Sequence, residues 1–323
     1  MSLAEFSLIE RIRTRTRARA DVVLGIGDDA ALLQPRAGQQ LVVTADTLNS
    51  GVHFPAETPA YDIGWKTLAV NLSDLASMGA QPAWCVLALS LPDADPDWVD
   101  AFADGFFALA DAHDIVLIGG DTTRGPLSLS VTAMGQVAPG AALRRDGAQV
   151  GDDVWVSGTL GDAAVALRAW QGGTLDVRRP AEDAPVDYLR QRLARPTPRV
   201  ALGAALVGVA HAAVDISDGL LADLGHICER SGVGARVDPE RLPVSDAARA
   251  RVGLTHAREA ALRGGDDYEL CFTAAAAQQG AVEAIAARLA LPLTRIGAIV
   301  AGQGVDAGGE TTGHRGYEHF TEL

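Results

Sequence analysis

Short apolar runs rich in branched residues alternate along this chain with longer runs in which apolar residues recur at helical spacing. Runs of the first kind, bounded by turn-forming residues, are typical of strands, and runs of the second kind are typical of amphipathic helices. The pattern occurs twice, with a break near Ala148. It therefore predicts an α/β (α+β) protein of two domains, 1–147 and 148–323.

The individual elements follow from that alternation. The predicted strands are 41–45, 84–91, 115–118, 127–137, 154–157, 212–214 and 269–273. The predicted helices are 61–78, 96–113, 161–171, 198–210, 218–231 and 274–290.

Composition excludes several classes of protein. Hydrophobic residues make up 48% of the 323 residues, which is enough for two cores. No apolar run approaches the roughly 18 residues of a membrane span. The first residues lack the apolar core of a signal peptide, so we expect a cytoplasmic protein with no membrane partner. The three cysteines are widely separated and are expected to be buried free thiols.

The charge balance argues against a nucleic-acid partner. The formal net charge is -14, with 41 acidic and 27 basic residues, whereas neutralising a phosphate backbone requires clustered Lys and Arg. The one basic run, Arg11 to Arg19, is short and is interpreted as the solvated face of a first helix. The positions of the acids are therefore the informative feature.

Three aspartates close predicted strands: Asp46 ends LVVTAD, Asp121 ends IVLIGGD and Asp215 ends AAVD. Ligands of α/β proteins bind at the carboxyl edge of the sheet, so these aspartates are candidate ligands. Further aspartates stand at 28–29, 218 and 266–267. Each alone is better explained as a turn residue or a helix cap, but their recurrence predicts a site rich in carboxylates.

The predicted helix at 61–78 has an apolar stripe, and Thr67, Asn71 and Asp74 lie on the opposite flank. A solvated face and a set of ligands explain that flank equally well. If the carboxylates converge, their repulsion requires cations, and oxygen-only ligands suit Mg²⁺ rather than zinc. Magnesium in proteins is usually bound together with phosphates.

A dehydrogenase is the natural rival, because the residues from Gly25 to Ala30 fit the dinucleotide pattern G-x-G-x-x-A and Asp46 follows at nearly the right distance. That motif must open a crossover helix, yet only residues 30–34 precede the turn 35–38. Two aspartates would also repel a pyrophosphate. The glycines are better explained by a tight metal-binding loop.

Familiar catalytic signatures are absent from the sequence. It contains no Walker motif, no protein-kinase signature and no G-x-S-x-G elbow. No Cys or Ser stands beside a plausible histidine base, so we predict no nucleophile and no general acid or base among the side chains. His53, in the segment SGVHF, is more simply explained as a structural residue when it is considered alone.

Seven segments carry a more specific signal: GIGDDAALL, TADTLNSGVHF, NLSDLASMGA, LIGGDTTRGPLS, AVDISDGLLADLGHI, GGDDYELCF and GYEHF. In this order they resemble the motifs of the thiamine-monophosphate kinase family, and the similarity runs from Phe6 to Phe320. The family belongs to a superfamily with aminoimidazole ribonucleotide synthase, selenophosphate synthetase and a hydrogenase maturation factor. These proteins all use ATP without a Walker loop.

The resemblance implies the two-domain aminoimidazole ribonucleotide synthase-like fold. Its N-terminal sheet-and-helix domain would bind ATP and Mg²⁺ and form a homodimer, and a C-terminal α/β domain would follow. The implied ligands of several Mg²⁺ ions are Asp29, Thr44, Ala45 through its main chain, Asp46, Asp74, Asp121, Asp215 and Asp218. The implied ATP contacts are Gly120, Asp121, Arg145 and Ser217, and the implied thiamine-phosphate contacts are His53, Asp266 and Tyr317.

Two positions depart from the family pattern. Asp266 stands where the family often has Glu, and His314-Arg315 precede GYEHF where an aromatic residue is common. Asp266 is one methylene shorter than Glu, so its carboxylate has a shorter reach toward the substrate.

The reaction implied is the phosphorylation of thiamine monophosphate by ATP to give thiamine diphosphate and ADP. Two alternatives remain: another superfamily kinase or synthase acting on a different small acceptor, and a nucleotide-binding module without turnover. All of the implied aspartate ligands are present, which argues against a module without turnover. A selenide acceptor would require a reactive residue near the N-terminus, and no Cys precedes Cys85.

Overall fold

The computed structural model describes the backbone of residues 5–308 and 311–312 and the side chains of residues 8–308. These residues form two units, each with its own sheet. The first unit contains the described residues up to Leu75, together with 80–140 and 177–179. The second contains 76–79, 141–176 and the described residues from Pro180 onward. The domain boundary at 147/148 stays a prediction.

The helices and strands are numbered along the described chain. The helices are α1 Glu5–Arg13, α2 Ala60–Ser77, α3 Pro96–Ala112, α4 Asp162–Gln171, α5 Ala184–Ala194, α6 Val200–Leu206, α7 Leu220–Ser231, α8 Asp246–Arg263 and α9 Gln279–Leu289. The strands are β1 Val22–Leu24, β2 Leu32–Leu33, β3 Gln40–Asn49, β4 Gln81–Leu91, β5 Val116–Arg124, β6 Ser128–Val137, β7 Asp152–Ser157, β8 Ala212–Asp215, β9 Gly234–Val237, β10 Leu270–Ala275, β11 Leu293–Val300, β12 Gly304–Asp306 and β13 Thr311–Thr312.

The first unit is built on a four-stranded sheet in the order β3-β6-β4-β5. The β4–β5 pair is parallel, and the other two pairs are antiparallel. The sequence of α3 shows why a helix begins there: Asp95 caps the N–H groups of Asp97 and Trp98, and Pro96 occupies the first turn. The face of α3 that contains Phe102 and Phe106 is buried in the core of this unit.

Strand β3 has one half-buried side and one exposed side. Residues 42, 44, 46 and 48 are buried or partly buried, whereas their neighbours at 41, 43, 45 and 47 are exposed. Leu41 and Val43 lie on the exposed side with 50% and 59% of their surface accessible. Because successive side chains of a strand point to opposite faces, one face of this edge strand packs inward and the other presents apolar groups to solvent.

The second unit is built on a seven-stranded sheet in the order β13-β12-β9-β11-β7-β10-β8. Only the β12–β9 pair is parallel among the pairs of this sheet. Val156 and Val214 pack into one core with Leu224 of α7. Trp155 and Phe272, on the other side of the sheet, pack with Val282 of α9 and with α6. Alternate residues of β7 therefore serve two different cores.

The predicted α/β (α+β) class is confirmed, and every predicted strand and helix overlaps an observed one. The predicted ends of two strands are wrong. β3 continues past Asp46 to Asn49, and β5 continues past Asp121 to Arg124, because the ladders with β6 and β4 run through both aspartates. The segment 274–290 is also not one helix, since Ala274 and Ala275 complete β10.

The interpretation of the basic run as a solvated helix face is wrong. Helix α1 ends at Arg13, so Arg15, Arg17 and Arg19 lie beyond it. Their guanidinium groups make ion pairs with the acids on and just after α3, among them Arg15 with Asp100 at 3.1 Å. Within the described residues, no helix is long and apolar enough to cross a membrane.

Candidate functional site

The first group of candidate ligands lies where α2 packs against β3. The hydroxyl of Thr44 donates a hydrogen bond to Oδ2 of Asp74 on α2. Two residues along the strand, the N–H of Asp46 donates to Oδ1 of Asn71, at 3.2 Å. The structure therefore brings Thr44 and Asp74 together and fixes the backbone of Asp46 beside them.

The polar flank of α2 is not a solvated face. Thr67 and Asn71 have 1% and 0% of their surface exposed, and the amide of Asn71 donates to the carbonyl of Thr67 at 3.1 Å. Burying such groups is costly unless they are hydrogen-bonded. The solvated-face explanation is therefore wrong, and this flank holds β3 in place.

Asp121 and Gly120 lie on β5, across the sheet from β3. Asp121 is the ladder partner of Ala88 and Gly120 is the partner of Leu87, while both Leu87 and Asp46 are partners of Val131. Paired residues share a face of the sheet. The register thus puts Asp46 and Asp121 on opposite faces of the sheet, and neither aspartate closes its strand, because β3 runs on to Asn49 and β5 to Arg124.

Gly120 lies against the neighbouring strand. Its φ is +152°, and a Cβ at this position would stand 1.8 Å from the carbonyl oxygen of Leu87. No side chain fits at that distance. Only glycine at position 120 allows β5 to pass β4 this closely.

A cavity of about 90 Å³ adjoins Gly120 and Asp121 in the first unit. Its other lining residues include the main-chain neighbours Gly119 and Thr122. The aliphatic wall is formed by Ile9, Ile12, Ile26, Leu87, Leu89 and Leu117. Such a pocket, apolar with polar groups at its margin, is typical of a small-molecule site.

The glycine loop that carries Asp29 does not open a helix. Residues 25–31 connect β1 to β2, which pair as antiparallel strands. The N–H of Asp29 donates to Oδ1 of Asp28 at 2.8 Å, and both residues are exposed. A dinucleotide site requires a strand, a glycine loop and a helix in succession, so the structure agrees with the rejection of a dehydrogenase.

His53 lies in the turn after β3. Its Nδ1 accepts the N–H of Asn49 at 2.9 Å, so in the neutral ring the proton is on Nε2. The carbonyl of His53 accepts a hydrogen bond from the buried Nζ of Lys66 at 3.0 Å. The ring is therefore fixed at one nitrogen.

The second group of candidate ligands lies at the end of β8 in the second unit. Asp215 is the last residue of β8, as predicted, and Asp218 follows in the turn before α7. One oxygen of Asp223, Oδ2, accepts the N–H groups of Ser217, Asp218 and Gly219, each at 3.1 Å. Asp223 thus fixes the backbone of the whole turn.

Negative charge is concentrated at this turn. Burial raises the pKa of the Asp223 carboxyl well above its usual range, and the neighbouring charges of Asp215 and Asp218 raise it further. Asp215 is itself 3% exposed. Aspartates that oppose one another's ionisation in this way favour a cation among them.

The two remaining contacts implied for ATP also belong to the second unit. Ser217 is in the turn held by Asp223. Arg145 is exposed, and its carbonyl accepts the hydroxyl of Ser231 at 2.8 Å, which anchors the segment before β7. Tyr317, implied as a substrate contact, lies outside the described residues, as does the departure at 314–315.

Asp266 lies in the loop 264–269, between α8 and β10. Both Asp266 and Tyr268 have left-handed backbones, with φ of +67° and +50°. The Tyr268 hydroxyl donates to Oδ1 of Asp266 at 3.1 Å. Asp266 itself is partly exposed.

The donor groups fit a hard cation in their chemistry. The hydroxyl of Thr44 and the carboxylates of Asp74 and Asp215 are oxygen ligands of the kind that Mg²⁺ prefers. Among the side chains of residues 8–308, however, no three Asp, Glu, His or Cys groups lie close enough together to hold a metal ion. The set of magnesium ligands therefore stays a prediction.

The cysteines are buried, as expected, and do not serve as nucleophiles. Cys85, Cys228 and Cys271 are all free thiols. Burial raises the pKa of the Cys228 thiol to about 11 and raises those of the other two further. A protonated, inaccessible thiol is a poor nucleophile.

Sequence reasoning missed the residues that support the site. The sequence places Asn71 only within a polar helix flank and assigns no role to Asp223 or Tyr268. A signal existed for Asp223, since an aspartate four residues after the glycine of SDG can reach back to the turn before its helix. No such signal existed for the contact between Tyr268 and Asp266.

Two family models match the chain. Residues 27–137 match the model described as "AIR synthase related protein, N-terminal domain", and residues 149–309 match "AIR synthase related protein, C-terminal domain". Together they cover most of both units.

Curated relatives and solved structures are also similar over the full length. The thiamine-monophosphate kinases of Salmonella typhimurium and Escherichia coli K12 are 48% identical, with 99% of each chain covered. The crystal structure of thiamine-monophosphate kinase from Stenotrophomonas maltophilia is 70% identical, with a TM-score of 0.92, and covers 97% of this chain and 99% of its own. A structure described as "AaThiL complexed with AMPPCP and TMP" is 32% identical, with a TM-score of 0.79, and 99% of each chain is covered.

Proposed function

This chain belongs to the thiamine-monophosphate kinase family of AIR synthase related proteins, and we propose that it transfers the γ-phosphate of ATP to thiamine monophosphate, giving thiamine diphosphate and ADP. The observation that carries this assignment is the 48% identity to two thiamine-monophosphate kinases over 99% of the chain. A related structure at 32% identity was solved with the ATP analogue AMPPCP and with TMP. The enzyme is a phosphotransferase whose acceptor is a phosphate group.

This reaction does not require a general base. The second pKa of a phosphate monoester is about 6, so the attacking oxygen is already ionised at neutral pH. The barrier comes from the repulsion of two polyanions, and positioning together with electrostatic stabilisation lowers it. The absence of a paired nucleophile and base among the candidate residues is consistent with that chemistry.

We infer that the enzyme depends on Mg²⁺. The proposed ligands in the first unit are Asp29, Thr44, Asp46, Asp74 and Asp121, with the main chain of Ala45, and those in the second unit are Asp215 and Asp218. The bound ions would supply neutralisation of the phosphate charges. The contact between Thr44 and Asp74 and the turn held by Asp223 support this inference, because each fixes oxygen ligands before any substrate binds.

We propose that the residues that contact the nucleotide are Gly120, Asp121, Arg145 and Ser217. The aliphatic cavity beside Gly120 supports this role, since a purine ring suits an apolar pocket. The exposed guanidinium of Arg145 would contribute a fixed positive charge against phosphate oxygens.

The acceptor is proposed to bind through His53, Asp266 and Tyr317. A carboxylate suits the positive charge or the amino group of thiamine, and an aromatic ring suits its flat, partly cationic ring system. The partial exposure of Asp266 supports its availability to a substrate.

We also propose a homodimer and a location in the cytoplasm. The exposed apolar side of β3 supports a homodimer formed through the first unit, because an uncovered edge strand with apolar groups favours association. Location in the cytoplasm stays an expectation from the sequence.

The test is chromatography of the products formed from ATP, Mg²⁺ and a series of acceptors. Thiamine monophosphate should give thiamine diphosphate, and unphosphorylated thiamine should be a poor acceptor because its hydroxyl is not ionised. Asp266→Glu should be tolerated, whereas Asp266→Ala should weaken the binding of thiamine monophosphate more than that of ATP.

Ribonucleotides of the aminoimidazole type are the control acceptors. The kinase assignment would fall if one of them consumed ATP stoichiometrically while thiamine monophosphate gave no diphosphate. Product formation that is unaffected by removing all Mg²⁺ with a chelator would instead refute the metal requirement.

A further inference from the structure

The loop 264–269 is pressed onto the turn that holds Ser217 and Asp218. The N–H of Asp266 donates to the carbonyl of Ser217, and the N–H of Tyr268 donates to the carbonyl of Ile216, both at 2.8 Å. A Cβ on Gly265 would stand 2.4 Å from the Ser217 carbonyl oxygen. The backbone of the loop therefore has little freedom to move away from this turn.

The acidic neighbours of Asp266 and Tyr268 fix the loop from within the protein. Glu269 is 0% exposed and makes two hydrogen bonds to Arg199, at 2.6 and 2.5 Å, and one to Arg192 at 3.1 Å. Asp267 is 1% exposed and accepts the N–H of Gly161 at 2.7 Å. Bidentate guanidinium–carboxylate pairs of this kind are strong and geometrically specific.

The fixed loop holds Asp266 and Tyr268 in an uncommon conformation. Aspartate adopts the left-handed region with relative ease, but a tyrosine does so only at an energetic cost. Strain of this kind persists only where the surroundings impose it, and it is concentrated at functional sites. With both residues left-handed, the Tyr268 hydroxyl reaches Oδ1 of Asp266 at 3.1 Å.

Burial separates the roles of the two side chains. Tyr268 is 8% exposed, whereas Asp266 is partly exposed. The carboxylate can therefore meet a ligand from solvent, while the phenol lies beneath it.

We propose that Tyr268 is a positioning residue for the acceptor, whose hydroxyl orients the Asp266 carboxylate toward thiamine monophosphate without touching the substrate. The proposal rests on the proposed function, and specifically on Asp266 as an acceptor contact. Tyr268 thus acts on the binding of one substrate through a neighbouring side chain.

The test is a double-mutant cycle with Tyr268→Phe and Asp266→Ala. Phenylalanine removes only the hydroxyl and keeps the packed ring. One hydrogen bond of ordinary strength corresponds to a rise in KM for thiamine monophosphate of roughly three- to tenfold. The KM for ATP, kcat and the thermal midpoint should stay at the native values. In the Asp266→Ala background, Tyr268→Phe should have no further effect.

Tyr188→Phe is the matched control, because it removes another phenol that donates to a carboxylate, here Oδ2 of Asp162 at 3.0 Å. It should leave both KM values unchanged. The positioning role would be overturned if the two substitutions multiplied their effects on the KM for thiamine monophosphate in the double variant. It would also be overturned if Asp266→Ala raised this KM and Tyr268→Phe left it unchanged. An unchanged KM in Asp266→Ala would remove Asp266 from the acceptor site and this proposal with it. Failure of the native enzyme to phosphorylate thiamine monophosphate would overturn the proposed function itself.

Discussion

Single aspartates in both units are proposed to hold the cations on which phosphoryl transfer depends. They are held in place by neighbouring side chains: Asn71 accepts the N–H of Asp46, and Asp223 accepts N–H groups of the turn that contains Asp218. Such supporting contacts keep ligand oxygens in place against their mutual repulsion.

Replacing Asp46, Asp121 or Asp215 by Asn should abolish Mg²⁺-dependent turnover. Asparagine keeps the side-chain volume but removes the charge that would bind the cation, so kcat/KM should fall on the order of 100-fold or more. The measurement is the rate as a function of Mg²⁺ concentration, with circular dichroism to verify folding.

Asp104→Asn is the control for these variants. Asp104 is an exposed residue of α3 that pairs with Arg15 at 3.3 Å, and this change should leave the rate intact. A substituted aspartate that retains near-native activity at limiting Mg²⁺ would not be a ligand.

Gly120→Ala and the adjacent Gly119→Ala should differ sharply. The added methyl group at 120 would meet the Leu87 carbonyl at 1.8 Å, whereas at 119 the nearest atom is a Val86 methyl at 3.9 Å. We expect Gly120→Ala to lower the free energy of unfolding by more than about 2 kcal/mol, and Gly119→Ala to be tolerated. Urea denaturation measures both, and equal stability of the two variants would contradict the close approach of β5 to β4.

At the scale of elements, the loop between α8 and β10 depends on a buried ionic network. Glu269 is bound by Arg192, Arg199 and the hydroxyl of Ser157, the last at 2.5 Å. The burial of Arg192 opposes its charge, but the carboxylates of Glu269 and Asp267 hold the pKa of its guanidinium above the usual range. The Arg192 guanidinium is therefore expected to stay charged.

Glu269→Ala should destabilise the protein strongly. Removing this carboxylate would break the buried ion pair with Arg192, which is 8% exposed, and the pair with Arg199, a change that costs about 3–5 kcal/mol. Thermal or chemical denaturation measures the loss. Glu283→Ala, on the exposed side of α9, is the control and should change stability by less than about 0.5 kcal/mol. Similar stabilities for the two variants would exclude a structural role for the network.

The sequence predicts strands best where runs of branched residues are long, and it predicts helices best where the amphipathic spacing is regular. It did not predict α5 and α8, which are rich in Arg and Ala and have no sustained apolar stripe. The ends of β3 and β5 were misjudged because an aspartate reads locally as a turn residue, whereas ladder hydrogen bonds from neighbouring strands decide where a strand ends.

The sequence likewise predicts some residues of the candidate site and not others. Motif order and spacing identified Thr44 and Asp74, which the structure places in contact. The burial of Thr67 and Asn71 could not be predicted, because it depends on how α2 packs against β3, and helical periodicity alone does not distinguish a solvated polar flank from one that packs against a strand.

At the scale of the whole molecule, the exposed apolar side of β3 predicts a dimer. Light scattering at micromolar concentration should give twice the mass of one chain. Val43→Asp, which adds a charge to that side, should shift the protein toward monomer.

Leu254→Asp is the matched control for the dimer. Leu254 is 41% exposed and belongs to α8 in the other unit. This variant should retain the dimer. A native protein of single-chain mass would refute the association without affecting the proposed chemistry.

Strand β3 has a consequence for how activity should be measured. Thr44 and Asp46 lie on its half-buried side. Val43 and Ala45, which alternate with them along the strand, lie on its exposed side. If the exposed side is covered by a second copy and the covered strand binds the cation more tightly than the uncovered one, association and cation binding are coupled through the same ten residues of backbone. Specific activity would then vary with enzyme concentration, falling on dilution and recovering when excess Mg²⁺ drives the chains back together.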